Sequence, residues 1–463
     1  MIRKSDAELI LSRALATGAD FAEIFAENVK AGEISLLSKK VENAAFSRSV
    51  GAGVRVFQGT KTVYAYTNDL TLDGMLKCAS QAAAALGTAK NDVPVVLCSR
   101  IVPNIHGVQY EVGDVQGKRK ADLLHLADAA ARSVSDEIKQ VSAGLSDSRQ
   151  DVLIANTEGL YVTDTRVHTR LRISAIARNE GGNQTGSQSP GAQAGYEFIE
   201  SLNVEGLAKQ AATSAVTMLH ADFCPAGNMP VVIENGFGGV IFHEACGHAL
   251  EATAVGKGSS VFCGKMGQQI ASVKVNAVDD GTIPNAWGSE NIDDEGNPQM
   301  RRQLIKDGIL TSYMIDRLGS RRMNLPMTGS GRRQSYCFAP TSRMSNTFIE
   351  AGTDDDEEMI ATMGDGLYAK QMGGGSVNPV TGEFNFAVNE GYLVRDGKIT
   401  EPVRGATLIG KGADILFNID RVGKNVQRAQ GMCGSVSGSI PTDVGQPRIR
   451  VSAITVGGRK EDK

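Results

Sequence analysis

The chain has 463 residues, with 48 basic and 52 acidic side chains, a formal net charge of -4, 41% hydrophobic residues and 22% charged residues. This composition excludes wholesale disorder and a disulfide-stapled mini-protein, and the length suits about two to four domains with cores of their own. No run approaches the roughly 18 apolar residues of a membrane span, and no basic surplus favours nucleic acid or an anionic membrane surface.

Seven cysteines, an odd number, suit a reducing compartment better than a secreted disulfide framework. Met1–Ala16 carries Arg3, Lys4, Asp6 and Glu8 and so lacks the apolar centre of a signal peptide. Together these predict a cytoplasmic protein. Of the 53 glycines, 19 fall in residues 1–230 and 34 in residues 231–463.

In chain order, residues 5–17 place Ala7, Ile10, Leu11, Ala14 and Leu15 at helical spacing, with Ser5 as N-cap and Gly18 as stop. Residues 21–67 alternate apolar and polar positions, as half-buried antiparallel strands do. Helices over about 70–86 and 118–136 cover that sheet, and 139–180 again reads as strands. The Gly/Ser/Gln-rich stretch 181–195 predicts an exposed hairpin tip or mobile loop. A helix over 203–219 ends before His220–Pro230, where Pro225, Gly227 and Pro230 suggest a boundary. The expected fold class is α+β: an N-terminal α+β domain over 1–224, then a mainly antiparallel β domain over 225–463. In the latter, Asp307-Gly308, Asn378-Pro379 and Asp396-Gly397 mark hairpin turns. Asp354–Glu358 after Thr353 starts a helix whose N-terminal dipole favours acidic residues.

The segment VVIENGFGGVIFHEACGHALEATAV at 231–255 carries the chemistry: an apolar strand, a glycine turn, then a helix with His243, Glu244 and His248. A metallopeptidase helix needs two imidazoles converging on one zinc and an adjacent carboxylate that takes a proton from the activated water. His243 and His248 fit the ligand roles and Glu244 the base. The spacing is one residue longer than H-E-x-x-H. Positions five apart on an ideal helix differ by about 140°, so a π-bulge is predicted, with Gly247 its natural place. Spacing alone leaves Cys246, Cys263 and Cys433 open as the third ligand.

These residues resemble the TldD/PmbA family, once labelled modulators of DNA gyrase. FHEACGHALEA is similar to its HExxxH helix. Residues 313–352 resemble its R-R-Q-S-Y and R-M-x-N-T blocks, 373–410 its glycine-rich segment and 431–458 its closing block. The resemblance implies a zinc peptidase of the TldD branch, with His243, His248 and Cys433 as metal ligands and Glu244 as catalytic residue. It also implies a TldE/PmbA-like partner chain, or a homodimer, acting on unfolded or extended peptides. The closing block departs from the common C-G-K-x-G-Q, reading Cys433-Gly434-Ser435-Val436-Ser437-Gly438. The ligand stays in place, but the usual lysine and glutamine have no counterpart.

For substrate binding the expectations are Arg333 and Tyr336, with Arg332 a further oxyanion donor, and Gly373, Gly374 and Gly375, a bare backbone strip for an extended peptide. The rival reading is a non-catalytic peptide-binding or regulatory chain with structural metal, which would call for four protein ligands. A thiol hydrolase using Cys246 and His248 is disfavoured, since residues two apart on a helix diverge. His106, His125, His168 and His220 read as solvated or core histidines, although His220 has Cys224 nearby.

Overall fold

A computed structural model describes residues 1–87, 93–378 and 381–458. The first helix, α1 (Lys4–Leu15), buries the five predicted apolar positions. Its N-cap is Arg3, without a side-chain cap, so Ser5 lies inside the first turn. Gly18 then takes a left-handed φ of 97°, the conformation that suits glycine after a helix.

The following strands are β1 (Phe21–Leu37), β2 (Lys40–Gln58) and β3 (Lys61–Thr67), then helix α2 (Leu72–Ala84), capped by Thr71. After β4 (Cys98–Arg100) and α3 (Gly117–Arg132) come the long hairpin strands β5 (Ile138–Asn156) and β6 (Leu160–Asn179). They form one sheet in the order β3-β2-β1-β5-β6-β4. On one face, α1 and α2 cover Ile24, Val54 and Leu153, while α3 and a later helix cover Ile34, Val141 and Leu171. On the other face, Phe25, Val152 and Ile154 meet Ile292 from the C-terminal half.

The stretch 181–195 is neither tip nor loop through most of its length. It supplies β7 (Gly182–Gln188) and β8 (Gly191–Ala192), both paired with β6, and leads through α4 (Tyr196–Glu200) to α5 (Val204–Leu219). A Cβ at Gly186 would collide with the Ala211 carbonyl of α5. The glycine there permits close packing of a helix on a strand rather than mobility.

The C-terminal half holds an eight-stranded and a six-stranded sheet. Antiparallel pairing predominates, with three parallel departures that join distant segments, one of them setting Val403–Arg404 beside Asp222–Phe223. Gly227–Ile233 runs parallel to Gly366–Val377, and Asn346–Ile349 parallel to Gly438–Gln446. Asp307-Gly308 and Asp396-Gly397 form the expected tight turns, all four residues at positive φ (48°, 77°, 48° and 72°). Pro379 of the Asn378-Pro379 turn lies outside the described residues. Asp355 caps the helix Asp356–Ala361, accepting from the Glu357 and Glu358 amides, while Asp354 pairs instead with Lys274 and Arg421. No helix of the described residues is long and apolar enough to cross a membrane.

The halves are joined by buried charge. Arg55 of β2 pairs with Glu23 at 2.9 Å and with Glu295. Arg166 of β6 pairs with Asp294 at 2.7 Å and Glu290 at 3.3 Å, and lies 3.6 Å from Asp164.

Candidate metal centre

The chain enters the site from the strand Gly227–Ile233 through a 3-10 turn, Gly236–Gly239, and one α turn, Val240–Phe242. Side chains at Gly238 and Gly239 would collide with Gln446 and with the Gly445 backbone. Their absence lets this segment lie flush on the strand Gly438–Gln446. That strand is the hairpin partner of Gln427–Ser435, which carries Cys433 opposite Ile440. Close glycine packing thus brings the histidine helix and the cysteine hairpin together.

His243–Gly247 forms a π turn, and the His248 amide donates to the His243 carbonyl, five residues back. The added residue per turn rotates His248 onto the His243 face, as the H-E-x-x-x-H spacing requires. Gly247 has ordinary helical angles (φ -52°, ψ -56°), so its conformational freedom is not what the turn uses. A Cβ there would overlap the Met344 sulfur, and the glycine makes room for that side chain.

The result is a compact donor cluster. His243 Nε2 and His248 Nε2 each lie 3.3 Å from Cys433 Sγ, and the three donor atoms lie within 4.8 Å of one another. Tetrahedral coordination with bonds of about 2.0–2.3 Å separates neighbouring donors by about 3.5 Å, so the spacings fit one ion. His243 and Cys433 are buried, with exposures of 3% and 5%. Burial opposes ionisation of the Cys433 thiol, but His243 and then His248 outweigh it and bring the group down to about 4. For His248, burial works against the charged ring, and Glu251 and Cys433 more than reverse it.

Glu244 stands beside the cluster, its Oε2 3.8 Å from His248 Nε2. Cys246 and Cys263 stand apart: Cys246 is in the hydrophobic core, where burial raises its thiol pKa, and Cys263 faces the Val255 carbonyl.

Two surrounding residues escaped sequence reasoning. Glu251 Oε1 lies 3.2 Å from His248 Nδ1, the far ring nitrogen, whereas His243 Nδ1 is buried without a partner. Arg343, fully buried, donates to the Cys433 carbonyl, to Ser437 Oγ at 3.0 Å and to the Gly438 carbonyl at 2.9 Å, with Nε 3.9 Å from Glu251. The i,i+3 spacing of His248 and Glu251 was a readable signal for the first. The R-M-x-N-T block pointed at Arg343 without showing its role.

Arg333 is turned inward, donating to Glu23, the Asp294 carbonyl and the Tyr64 hydroxyl. Arg332 holds the Met344 and Pro441 carbonyls and Glu290. Tyr336 packs over Gly51 of β2, edge-on to Tyr66. None of the three contacts an imidazole of the cluster. Between them, Gln334 grips the cysteine hairpin, its backbone amide donating to the Ser437 carbonyl and its side-chain oxygen accepting from the Ser439 amide. Gly373–Gly375 lies in the strand Gly366–Val377, which packs against the π turn. Its 370–377 portion pairs only with Glu383–Arg395 among the described residues, with register shifts between Met372 and Gly375.

The cysteine strand is also held from the N-terminal half. Trp287 Nε1 donates to the Gly431 carbonyl at 2.8 Å, and Arg170 of β6, stacked on the Trp287 ring, donates to the Gln430 carbonyl at 3.0 Å. The remaining histidines are accounted for locally: His106 accepts from the Asn285 amide, His168 contacts the Trp287 carbonyl, His220 meets Glu137 and His125 is exposed.

A histidine helix closed by a cysteine hairpin forms a cluster that could hold a metal ion, and comparison with known proteins places the chain among metallopeptidases. Three family profiles match: PmbA/TldA metallopeptidase domain 1 over 22–86, the central domain over 110–219 and the C-terminal domain over 226–458. The chain belongs to the PmbA/TldD metallopeptidase family. It is 37% identical to the Metalloprotease TldD homolog of Haemophilus influenzae, covering 95% of this chain and 93% of that one. It is 31% identical to the homolog of Buchnera aphidicola from Acyrthosiphon pisum, covering 99% and 96%. Among solved structures, TldE from Thermococcus kodakarensis shares the fold at TM-score 0.75 and 18% identity, over 95% of this chain and 97% of that one. A Thermotoga maritima protein described as a modulator of DNA gyrase does so at TM-score 0.78 and 21% identity, over 94% and 96%.

Proposed function

We propose that this chain is a zinc-dependent peptidase that hydrolyses unfolded or extended peptides, with His243, His248 and Cys433 holding the ion and Glu244 as general base. The observation that carries the reading is the convergence of two imidazoles and one thiolate-prone cysteine with a carboxylate beside them. Three protein donors suit catalysis, because structural zinc usually takes four. A bound zinc ion supplies Lewis acidity toward a peptide carbonyl and toward water. Glu244 accepts the proton of the attacking water and passes it to the departing amine nitrogen. Glu251 fixes the orientation of the His248 ring, and Arg343 fixes the backbone of Cys433.

The peptidase chemistry sits in residues 225–463, with 1–224 as scaffold. The edge of the 370–377 strand that carries Gly373–Gly375, unpaired on that side among the described residues, suits an extended peptide added as a strand. A TldE/PmbA-like chain or a second copy completes the working particle in the cytoplasm.

Metal analysis tests the ligand set. Cys433→Ala should lose most of its zinc while Cys246→Ala retains it; zinc retained by Cys433→Ala would overturn the assignment. Glu251→Gln should keep the fold and weaken zinc binding by about 10–100-fold in competition with a chelator. Wild-type affinity in that variant would remove Glu251 from the site.

A further inference from the structure

The strand Gly366–Val377 changes neighbours along its length. Val231–Ile233 pairs with Leu367–Ala369 on one side, and from Lys370 onward that side has no strand among the described residues. A cavity of about 510 Å³ opens at this point, between the strand and helix α5 of the N-terminal half. Gln371 reaches across it to the Ser187 carbonyl of β7 at 3.4 Å. The volume lies within the range of ligand pockets.

The lining carries two ammonium groups, Lys209 and Lys370, and one carboxylate, Glu390. Glu390 is 4% exposed and fully engaged: its oxygens accept from Lys370 Nζ at 2.7 Å, from the Tyr392 hydroxyl at 2.8 Å and from the Ser214 hydroxyl. Burial opposes its ionisation, but Lys370, Ser214 and Tyr392 outweigh it and lower its pKa. The anchored carboxylate fixes Lys370 at the cavity wall. An ammonium has three donors, and this one gives a single hydrogen to Glu390. Lys209 has only an exposed pairing with Glu205, at 4.0 Å. Gln188, Gln210 and Thr213 complete the wall, and their side chains make no hydrogen bond among the described residues. The lining thus has a surplus of one positive charge with uncharged donors around it. That chemistry fits an anion of single charge with two acceptor oxygens, a carboxylate.

An extended peptide that continues from Ile233 along the 370–377 edge sets its residue opposite Lys370 on the same face of the sheet as Lys370. We propose, on the basis of the peptidase reading and of strand addition at that edge, that this cavity holds a carboxylate of the peptide substrate, from an acidic side chain or from the free C-terminus, against Lys370 and Lys209. Substrates are then selected for negative charge at that position.

Fluorescence anisotropy tests this on the full chain carrying Glu244→Gln, which keeps the peptides intact. The probes are labelled peptides of one neutral sequence: amidated at the C-terminus, free at the C-terminus, and amidated with a Glu at each internal position in turn. A carboxylate-bearing peptide should bind roughly tenfold tighter than the neutral one, and which kind does so identifies the source. Lys370→Gln and Lys209→Gln should each remove much of that advantage. Lys209 is exposed on α5, so its replacement keeps the test open if Lys370→Gln disturbs the fold around Glu390. Equal binding of all the peptides, or an advantage that survives the double replacement, would overturn the proposal. Cleavage by the wild-type chain is followed separately. A charge preference in binding without cleavage would defeat the peptidase reading alone, and cleavage without a charge preference would defeat the carboxylate site alone.

Discussion

Glu244→Gln is expected to lower peptide hydrolysis by about 100- to 10,000-fold while zinc content stays at the wild-type level. The amide keeps the size of the carboxylate and its place 3.8 Å from His248 Nε2, but it cannot accept a proton. Glu244 belongs to no part of the three-donor cluster, so its replacement leaves the ion's ligands intact. The check is single-turnover cleavage of an unstructured peptide, with and without a TldE-like chain, alongside metal analysis. Cleavage at the wild-type rate would end the general-base assignment, and loss of zinc would make Glu244 a ligand instead.

Arg166→Leu is expected to cost roughly 3–5 kcal/mol of stability. Arg166 has 2% side-chain exposure and stands between Asp294, Glu290 and Asp164, and its guanidinium also donates to the Ile292 carbonyl at 3.0 Å. Burial opposes its charge, yet Glu290 and the two aspartates raise its pKa. Leucine would leave their negative charge without its counterion in a dry interface, where the desolvation penalty is largest. Denaturant midpoints measure the effect. The exposed Arg119, paired with Glu200 at the surface, is the control, and its leucine variant should shift stability by at most about 1 kcal/mol. A similar shift in both variants would mean that the buried pairs contribute no more than surface ones.

The elements with strong periodicity were legible in the sequence. The apolar faces of α1, α2, α3 and α5, the antiparallel strands β1 and β2, and the Asp-Gly turns all follow from local rules. So did the π turn, because two histidines five apart cannot serve one ion from an ideal helix. The expected half-burial does not hold: β2 is exposed over Lys40–Ser49 and buried on both faces over Gly51–Phe57, and β1 is buried throughout Phe21–Glu27. Local rules failed where glycine serves packing. Gly186 looked like loop composition, and Gly247 looked like conformational licence, but each admits a neighbour from far along the chain: Ala211 in one case and Met344 in the other. The parallel pairings were likewise hidden, since strand direction depends on long connections rather than on strand sequence. At the site, the helix histidines announced themselves by spacing. The meeting with Cys433, 185 residues beyond His248, needed a tertiary fold or a family resemblance. Arg332 and Arg333 had suggested binding groups, whereas each sits in a buried ion-pair network whose partners no local pattern reveals.

The grip of Arg170 and Trp287 on the Cys433 strand bears on how such a protein can be divided or recombined. The carbonyls of Gln430 and Gly431, three and two residues before the cysteine, are satisfied by donors that include β6 of the opposite half. Residues 225–463 cut free of the rest would carry all of His243, His248 and Cys433, yet one edge of the cysteine strand would lose its restraint. The C-terminal half is therefore not a portable cassette: grafted onto another scaffold, it would need a substitute for the Arg170 contact before its cysteine stood still.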